Sequence, residues 1–278
     1  MQKPDKHSVM FLIFLVCLAA GIRLYASFPG LIESSYTSGV YPFISAFLRS
    51  LFGPLPFSAG DVLYAALFLF ALWKAVQRLI ILRKQKQSWV PSKTAWLKIL
   101  RFSLLLYIVF NLLWGLNYNR KGIHYQMDFE RRKYSQADLM IINHILLEKV
   151  NNCKAALIQQ HIPYPSTKEL IIKTNRAFTQ AAKQYSFLQY AHPSVKPSLF
   201  NFIGNYFGFS GYYNPFTGEA QVNTDVPPFL QPYISCHEIA HQLGYAKENE
   251  ASFAGYIVAT ASGDPLFMYS AYFDLFLY

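Results

Sequence analysis

The sequence predicts a mainly α-helical membrane protein in which transmembrane helices precede an α+β domain with a small β-hairpin. Of its 278 residues, 53% are hydrophobic and only 14% are charged, whereas about a quarter of the residues in a soluble domain are charged. Three long apolar runs lie before residue 120, and amphipathic and turn-rich stretches follow it. This composition excludes disordered, collagen-like and coiled-coil chains.

The three apolar runs cover residues 8–28, 62–82 and 102–119. Each can cross a hydrocarbon core of about 30 Å, which takes roughly 20 helical residues. Lys3 and Lys6 precede the first run, so a signal peptide is the alternative interpretation. No small-residue cleavage site closes that run, and we therefore interpret it as an uncleaved anchor. Residues 1–119 are predicted to form a membrane domain.

The apolar segment 40–57 contains Arg49, Gly53 and two prolines. Because backbone-breaking residues are poorly tolerated in contact with lipid, we interpret it as an interfacial or re-entrant piece. A fourth span is the alternative. The loop 83–101 is rich in Lys and Arg and has no acidic residue. The positive-inside rule places this loop in the cytoplasm and everything after residue 119 outside. A basic cluster at 120–133 argues against this orientation.

The formal net charge is +10. The positive residues flank apolar runs, and the sequence shows no nucleic-acid-binding motif, so we expect no nucleic-acid partner. The expected partners are a lipid bilayer and a peptide or protein substrate. Three cysteines are too few for a disulfide framework.

Residues 120–278 are predicted to form the second domain. Ser135 and Asp138 predict a capping box that begins a helix ending near Gln160, and Ser166 or Thr167 caps a second helix to about Tyr190. Residues 207–213 and 220–223 are predicted strands, joined by a turn at 214–218. An apolar run without a stop signal ends the chain, which leaves open whether this domain is truncated at its C-terminus.

The chemistry is concentrated in an HExxH motif formed by His237, Glu238 and His241, within a predicted helix over 228–243. Residues four apart lie on one face of a helix, so both imidazoles can reach one metal ion. Glu238 lies beside that metal and can accept a proton from an activated water. The helix is otherwise half apolar, and burying these groups without partners would be costly. The motif therefore predicts one zinc ion with a catalytic glutamate.

A zinc site of this kind needs a third protein ligand and an open position. Gly244 can end the helix in a left-handed conformation and turn the chain towards Glu248 and Glu250. We predict Glu248 as the ligand. Glu250 is the alternative ligand, or else a partner that orients a ligand histidine.

The run HEIAHQLGYAKENEASF, from His237 to Phe253, resembles membrane-anchored zinc metallopeptidases of the gluzincin type. That resemblance implies a zincin-like fold and peptide hydrolysis, with His237, His241 and Glu248 as ligands and Glu238 as the base. Ser252 stands where several such families have Asp or Asn. Together with the apolar N-terminal half and the segment GYYNPFTGEAQVNT, the run also resembles an uncharacterised bacterial membrane-protein family, a domain of unknown function.

Residues 211–224 are a candidate edge hairpin above the metal, with a purely structural hairpin as the alternative. Tyr212 and Tyr213 are candidate transition-state stabilisers. The resulting hypothesis is a zinc metallopeptidase in the bacterial cytoplasmic membrane, multi-pass, with its catalytic domain on the extracytoplasmic side. The alternative is a non-catalytic sensor or assembly protein with a structural or peptide-binding metal site.

Overall fold

The computed structural model describes residues 6–85, 92–130 and 132–277. The described chain is mainly helical and has one small sheet, as the sequence predicts. The helices are α1 (Lys6–Ala26), α2 (Pro29–Leu31), α3 (Tyr41–Phe52), α4 (Ala59–Gln85), α5 (Lys93–Leu113), α6 (Ile123–Gln126), α7 (Gln136–Gln159), α8 (Thr167–Ala181), α9 (Asn201–Phe207), α10 (Gln231–Gln242), α11 (Glu248–Ala261) and α12 (Pro265–Phe276). The strands are β1 (Val195–Pro197), β2 (Gly211–Asn214) and β3 (Glu219–Val222).

Three described helices, α1, α4 and α5, are long and apolar enough to cross a membrane. They correspond to the three predicted spans, and α1 packs along α5. In the most apolar part of α4 and α5 only 6% of the residues are buried within the protein, so these surfaces suit lipid. The third helix begins at Lys93 and ends at Leu113, earlier than predicted. The basic residues that precede the apolar run are helical and form the first turns of α5. The helix ends at Leu113 because Trp114, with φ −158°, leaves the helical conformation.

The segment before α4 agrees with the interfacial interpretation. A π-helical stretch, Ile32–Val40, leads into α3, whose 12 residues span about 18 Å and are too short to cross a bilayer. One face of α3 is buried against the second domain, whereas Phe43 and Phe47 on the other face are 78% and 65% exposed. The helix is therefore amphipathic, as expected at a membrane surface.

The predicted helices of the second domain form with the predicted caps. Ser135 and Ser166 each form a capping box with an acidic residue three positions on. The predicted end of α8 near Tyr190 is wrong, since the helix ends at Ala181. The carbonyl of Ala181 accepts from the backbone N–H groups of both Gln184 and Tyr185. This tight turn redirects the chain so that Leu188 enters the hydrophobic core, where it is fully buried.

The sheet has the order β1-β3-β2, with β1 parallel and β2 antiparallel to the central strand β3. The predicted hairpin is present, and the turn within 214–218 closes with a hydrogen bond from Gly218 N to Asn214 O of 2.8 Å. Its first strand is shorter than predicted. Phe207 instead ends α9, because the left-handed Gly208 (φ 75°) stops that helix before β2 begins. The short strand β1, which contains a proline, was not predicted.

Residues on either side of the predicted boundary at 119/120 pack together. The carboxylate of Glu219 on β3 accepts from the N–H groups of Ala59 (3.1 Å) and Gly60 (2.6 Å) in the first turn of α4. Arg120, counted in the sequence as part of a basic flank, is buried and lies 3.2 Å from Glu33. The charge of Arg120 is thus balanced inside the protein by Glu33.

Candidate metal centre

Helix α10 presents the two histidines of the HExxH motif one turn apart. The ring centroids of His237 and His241 are separated by 4.8 Å. After α10 the chain reverses at Gly244, whose φ of +88° is the left-handed conformation predicted for it. Helix α11 then begins at Glu248 and returns this residue to the histidines. The three side chains therefore come from one local helix–turn–helix.

The carboxylate of Glu248 lies between the two imidazoles. Its Oε2 is 3.1 Å from His237 Nε2 and its Oε1 is 3.5 Å from His241 Nε2. One ligand atom from each of the three residues lies within 4.8 Å of the other two, so the cluster can hold a metal ion. The geometry favours Glu248 over Glu250, which is 2% exposed and has its carboxylate 3.6 Å from Lys247 Nζ.

The other nitrogen of each imidazole is held by a neighbouring group. His241 Nδ1 lies 2.7 Å from the backbone oxygen of Tyr245, and His237 Nδ1 lies 3.3 Å from Ser252 Oγ. A carbonyl oxygen can only accept, so His241 Nδ1 carries a proton and donates it to Tyr245, and Nε2 is the ring atom directed at Glu248. This arrangement is the one that metal-ligating histidines adopt. Ser252 is thus the residue that contacts His237 Nδ1 at this position.

Electrostatic contacts within the cluster shift the pKa values of Glu248 and His241. Contacts with His237 and then His241 lower the pKa of the Glu248 carboxyl. Burial alone would lower the pKa of His241, but its contact with Glu248 and the charge of Glu238 outweigh burial and raise it. The side chain of Glu248 is 76% exposed. One side of the cluster is therefore open to a cleft, as a catalytic metal site requires.

Glu238 lies deeper than the ligands and directly beside β2. Its side chain is buried, and a Cβ added to Gly211 would lie 2.6 Å from Glu238 Oε1. Glycine at this position thus leaves the space that the carboxylate occupies. Burial raises the pKa of Glu238, while the neighbouring histidines oppose the increase. A carboxylate with a raised pKa is a more effective proton acceptor near neutral pH.

The ends of two membrane helices complete the cleft in front of these residues. The cleft is lined by Tyr64 of α4, by Phe110 of α5 and by Trp114 and Tyr118, which follow α5. Trp114 Nε1 donates to the backbone oxygen of His241 (3.0 Å), and the Tyr118 ring packs edge-on against Trp114. The charge of Glu248 contributes, after burial, to a raised pKa of Tyr118. Tyr118 is therefore a neutral hydroxyl near the ligand carboxylate.

Sequence reasoning did not assign Trp114 or Tyr118 to the site. They close the third apolar run, where aromatic residues are ordinary membrane-interface residues. The two tyrosines that it did single out differ in their surroundings. The hydroxyl of Tyr212 bonds to Asp61 and to Ser198, which ties it to the start of α4. The hydroxyl of Tyr213 is buried next to Tyr41, although its ring lines the cleft.

Comparison with known proteins identifies the family to which this chain belongs. Neither the curated proteins nor the solved structures provide a significant match to the chain. A protein-family profile described as "Protein of unknown function (DUF3810)" matches residues 36–278, which include α3, two of the three apolar helices and all of the candidate metal centre. The resemblance to a domain-of-unknown-function family is confirmed, and the chain belongs to the DUF3810 family.

Proposed function

We propose that this protein is a membrane-anchored zinc-dependent metallopeptidase. In this proposal His237, His241 and Glu248 hold one zinc ion, and Glu238 is the general base. One observation carries it: two imidazole Nε2 atoms and a carboxylate converge on one point while both Nδ1 atoms have partners elsewhere. The helix–turn–helix that supplies them and the strand beside Glu238 are the parts of a zincin-like domain.

The roles of the side chains follow from their positions. A bound zinc ion supplies a Lewis acid that polarises the peptide carbonyl and lowers the pKa of an attacking water. Glu238 accepts the proton of that water and passes it to the leaving amine. We assign stabilisation of the developing negative charge to the Tyr118 hydroxyl, in place of Tyr212 and Tyr213. All three residues line the cleft, but the hydroxyl of Tyr212 is bonded to Asp61 and Ser198, and that of Tyr213 is buried beside Tyr41.

An extended peptide fits along β2. This strand is the edge of the sheet, and Gly211, Tyr212 and Tyr213 line the cleft beside Glu238. Backbone N–H and C=O groups at a sheet edge can pair with a substrate strand. Since Tyr64 and Phe110 of the membrane helices form the opposite wall, the cleft suits a peptide segment close to the bilayer surface.

The proposed location is the bacterial cytoplasmic membrane, with the second domain on the extracytoplasmic side. The basic loop between α4 and α5 supports this orientation.

The test is the zinc content and the peptidase activity of the detergent-purified full chain. We expect one zinc per chain in the wild type, loss of zinc in His237→Ala, and retention of zinc in Glu238→Gln. Glu238→Gln should lower turnover by about a thousandfold, within the range for removal of a general base.

The outcomes separate the two hypotheses. Absence of zinc from the reconstituted wild type would overturn the metal site. Zinc binding with no hydrolysis of a broad peptide library, and no difference between wild type and Glu238→Gln, would overturn the peptidase and favour the sensor or assembly protein.

A further inference from the structure

A second pocket lies at the C-terminal end of α10, away from the clefts that contain His237. Its walls come from the π-helical stretch, from α3 and from the segments that follow α5, α8 and α10. Among the residues that the structure describes, no acidic side chain lines it. The residues that matter here are Arg49, Arg120, Gln126, Gln189, Gln242 and Tyr245.

Arg49 is a buried cation without a counter-ion in the described part of the chain. The residue is 5% exposed, and its Nε and Nη1 find no hydrogen-bond acceptor among the described residues. The guanidinium carbon of Arg49 lies over the face of the Tyr190 ring, 5.0 Å from the ring centroid. Burying an unpaired charge costs several kcal/mol, so this arrangement calls for an anion.

Arg120, which also lines the pocket, has one N–H group that is not used in a hydrogen bond to the described residues. Its guanidinium bonds to Glu33 and to the backbone oxygen of Gly244, each at 3.2 Å, but its Nε has no partner among the described residues. Glu33 balances the charge of Arg120. The residues that line the pocket therefore carry one positive charge in excess, that of Arg49, and both arginines have an N–H group without an acceptor in the described part of the chain.

We propose that this pocket binds a phosphate group, with Arg49 as its main contact. Guanidinium forks match phosphate oxygens in geometry and charge. A phosphate offers several acceptor oxygens, and Arg120, Gln126 and Gln189, whose side chains can donate, line the same pocket as Arg49. The source is either free phosphate or the headgroup of an anionic lipid, since α3 carries Arg49 on one face and exposed Phe43 and Phe47 on the other.

The experiment measures phosphate binding to the detergent-purified full chain by calorimetry and by its unfolding temperature, against chloride at equal ionic strength. A His237→Ala background is used throughout, so that phosphate cannot bind to zinc. We expect saturable binding of inorganic phosphate and at least about tenfold weaker binding in Arg49→Met, because a charge-assisted hydrogen bond contributes roughly 1.5–3 kcal/mol. Arg132→Met, which removes an exposed arginine, is the matched control and should bind as the parent does.

Two further measurements keep the proposal falsifiable. Without phosphate, Arg49→Met should unfold at the same temperature as its parent or higher, since it removes an uncompensated buried charge. Arg49→Lys, which keeps the charge but not the fork, serves if Arg49→Met does not fold, and should also bind more weakly.

The source is decided by a parallel titration with a short-chain phosphatidic acid. A response to this lipid alone assigns the headgroup, and a response to inorganic phosphate assigns the free ion. Equal binding by the parent and Arg49→Met, or no response of the parent to either probe, would overturn the site.

Discussion

The two sides of helix α10 are built from different parts of the chain. On the metal side, the ligands and the groups that orient them all lie between His237 and Ser252. On the other side, the end of the helix is held by residues far away in sequence. Tyr41 OH and Ser45 Oγ both donate to the backbone oxygen of Gln242, at 2.7 and 2.9 Å.

The two sides of α10 therefore have different roles: one carries the candidate metal ligands, and the other fixes the position of the helix. The metal side needs only a local helix–turn–helix, so its geometry is set within a few turns. The opposite side fixes where that unit lies relative to the membrane helices and the cleft. Substitutions on the metal side should therefore change affinity and turnover, whereas those on the opposite side should change stability.

Among substitutions that leave the proposed ligands and base in place, the largest expected effect comes from Gly211→Ala, which tests whether the metal side depends on contacts with β2. The new Cβ would lie 2.6 Å from Glu238 Oε1 and 2.7 Å from its Cγ, so the base must move. We expect turnover to fall by about a hundredfold, the effect of a displacement near 1 Å, with zinc content unchanged. Gly30→Ala is the control, because its Cβ would meet only Lys121 Cε at 3.7 Å. Full activity of Gly211→Ala would contradict the assignment of Glu238.

Ser252→Ala has a smaller expected effect and tests the local orientation of His237. Loss of the hydroxyl removes the partner of His237 Nδ1. Zinc affinity should fall by about tenfold, as measured by competition with a chelator, since loss of such partners costs 10–100-fold. Ser50→Ala removes an exposed hydroxyl on α3 and serves as the comparison. Unchanged affinity would mean that the helix backbone alone orients His237.

The smallest expected effect is that of Tyr41→Phe, on the opposite side of α10. It removes one hydrogen bond to the buried carbonyl of Gln242, worth about 1 kcal/mol of unfolding free energy. We expect a lower unfolding temperature and unchanged zinc affinity. A loss of zinc affinity greater than that of Ser252→Ala would show that the two sides of α10 are not separable.

The same division explains what could be predicted from the sequence. The histidine pair, the left-handed Gly244 and the return of Glu248 follow from helix spacing and turn chemistry over a dozen residues. The two capping boxes were predictable for the same reason. Each depends on residues close enough in the chain for their backbone geometry to fix the contact.

What could not be predicted depends on contacts between distant segments. Nothing near Trp114 indicates that its N–H reaches His241, 127 positions further on. Tyr212 was singled out for its place beside the metal, but its hydroxyl direction is set by Asp61, 151 positions earlier. The end of α8 is set by the burial of Leu188, and the sequence around Ala181 contains no helix breaker. Such contacts leave no periodic pattern of residue types, so a single sequence does not reveal them.

The contact between the Glu219 carboxylate of β3 and the first turn of α4 also has a consequence for biosynthesis. The N–H groups of Ala59 and Gly60 are complete in their bonding only when a residue about 160 positions later has been made and folded. During translation these two N–H groups therefore lack their carboxylate partner until β3 has been synthesised, and the contact that joins the start of α4 to the sheet can form only late in folding.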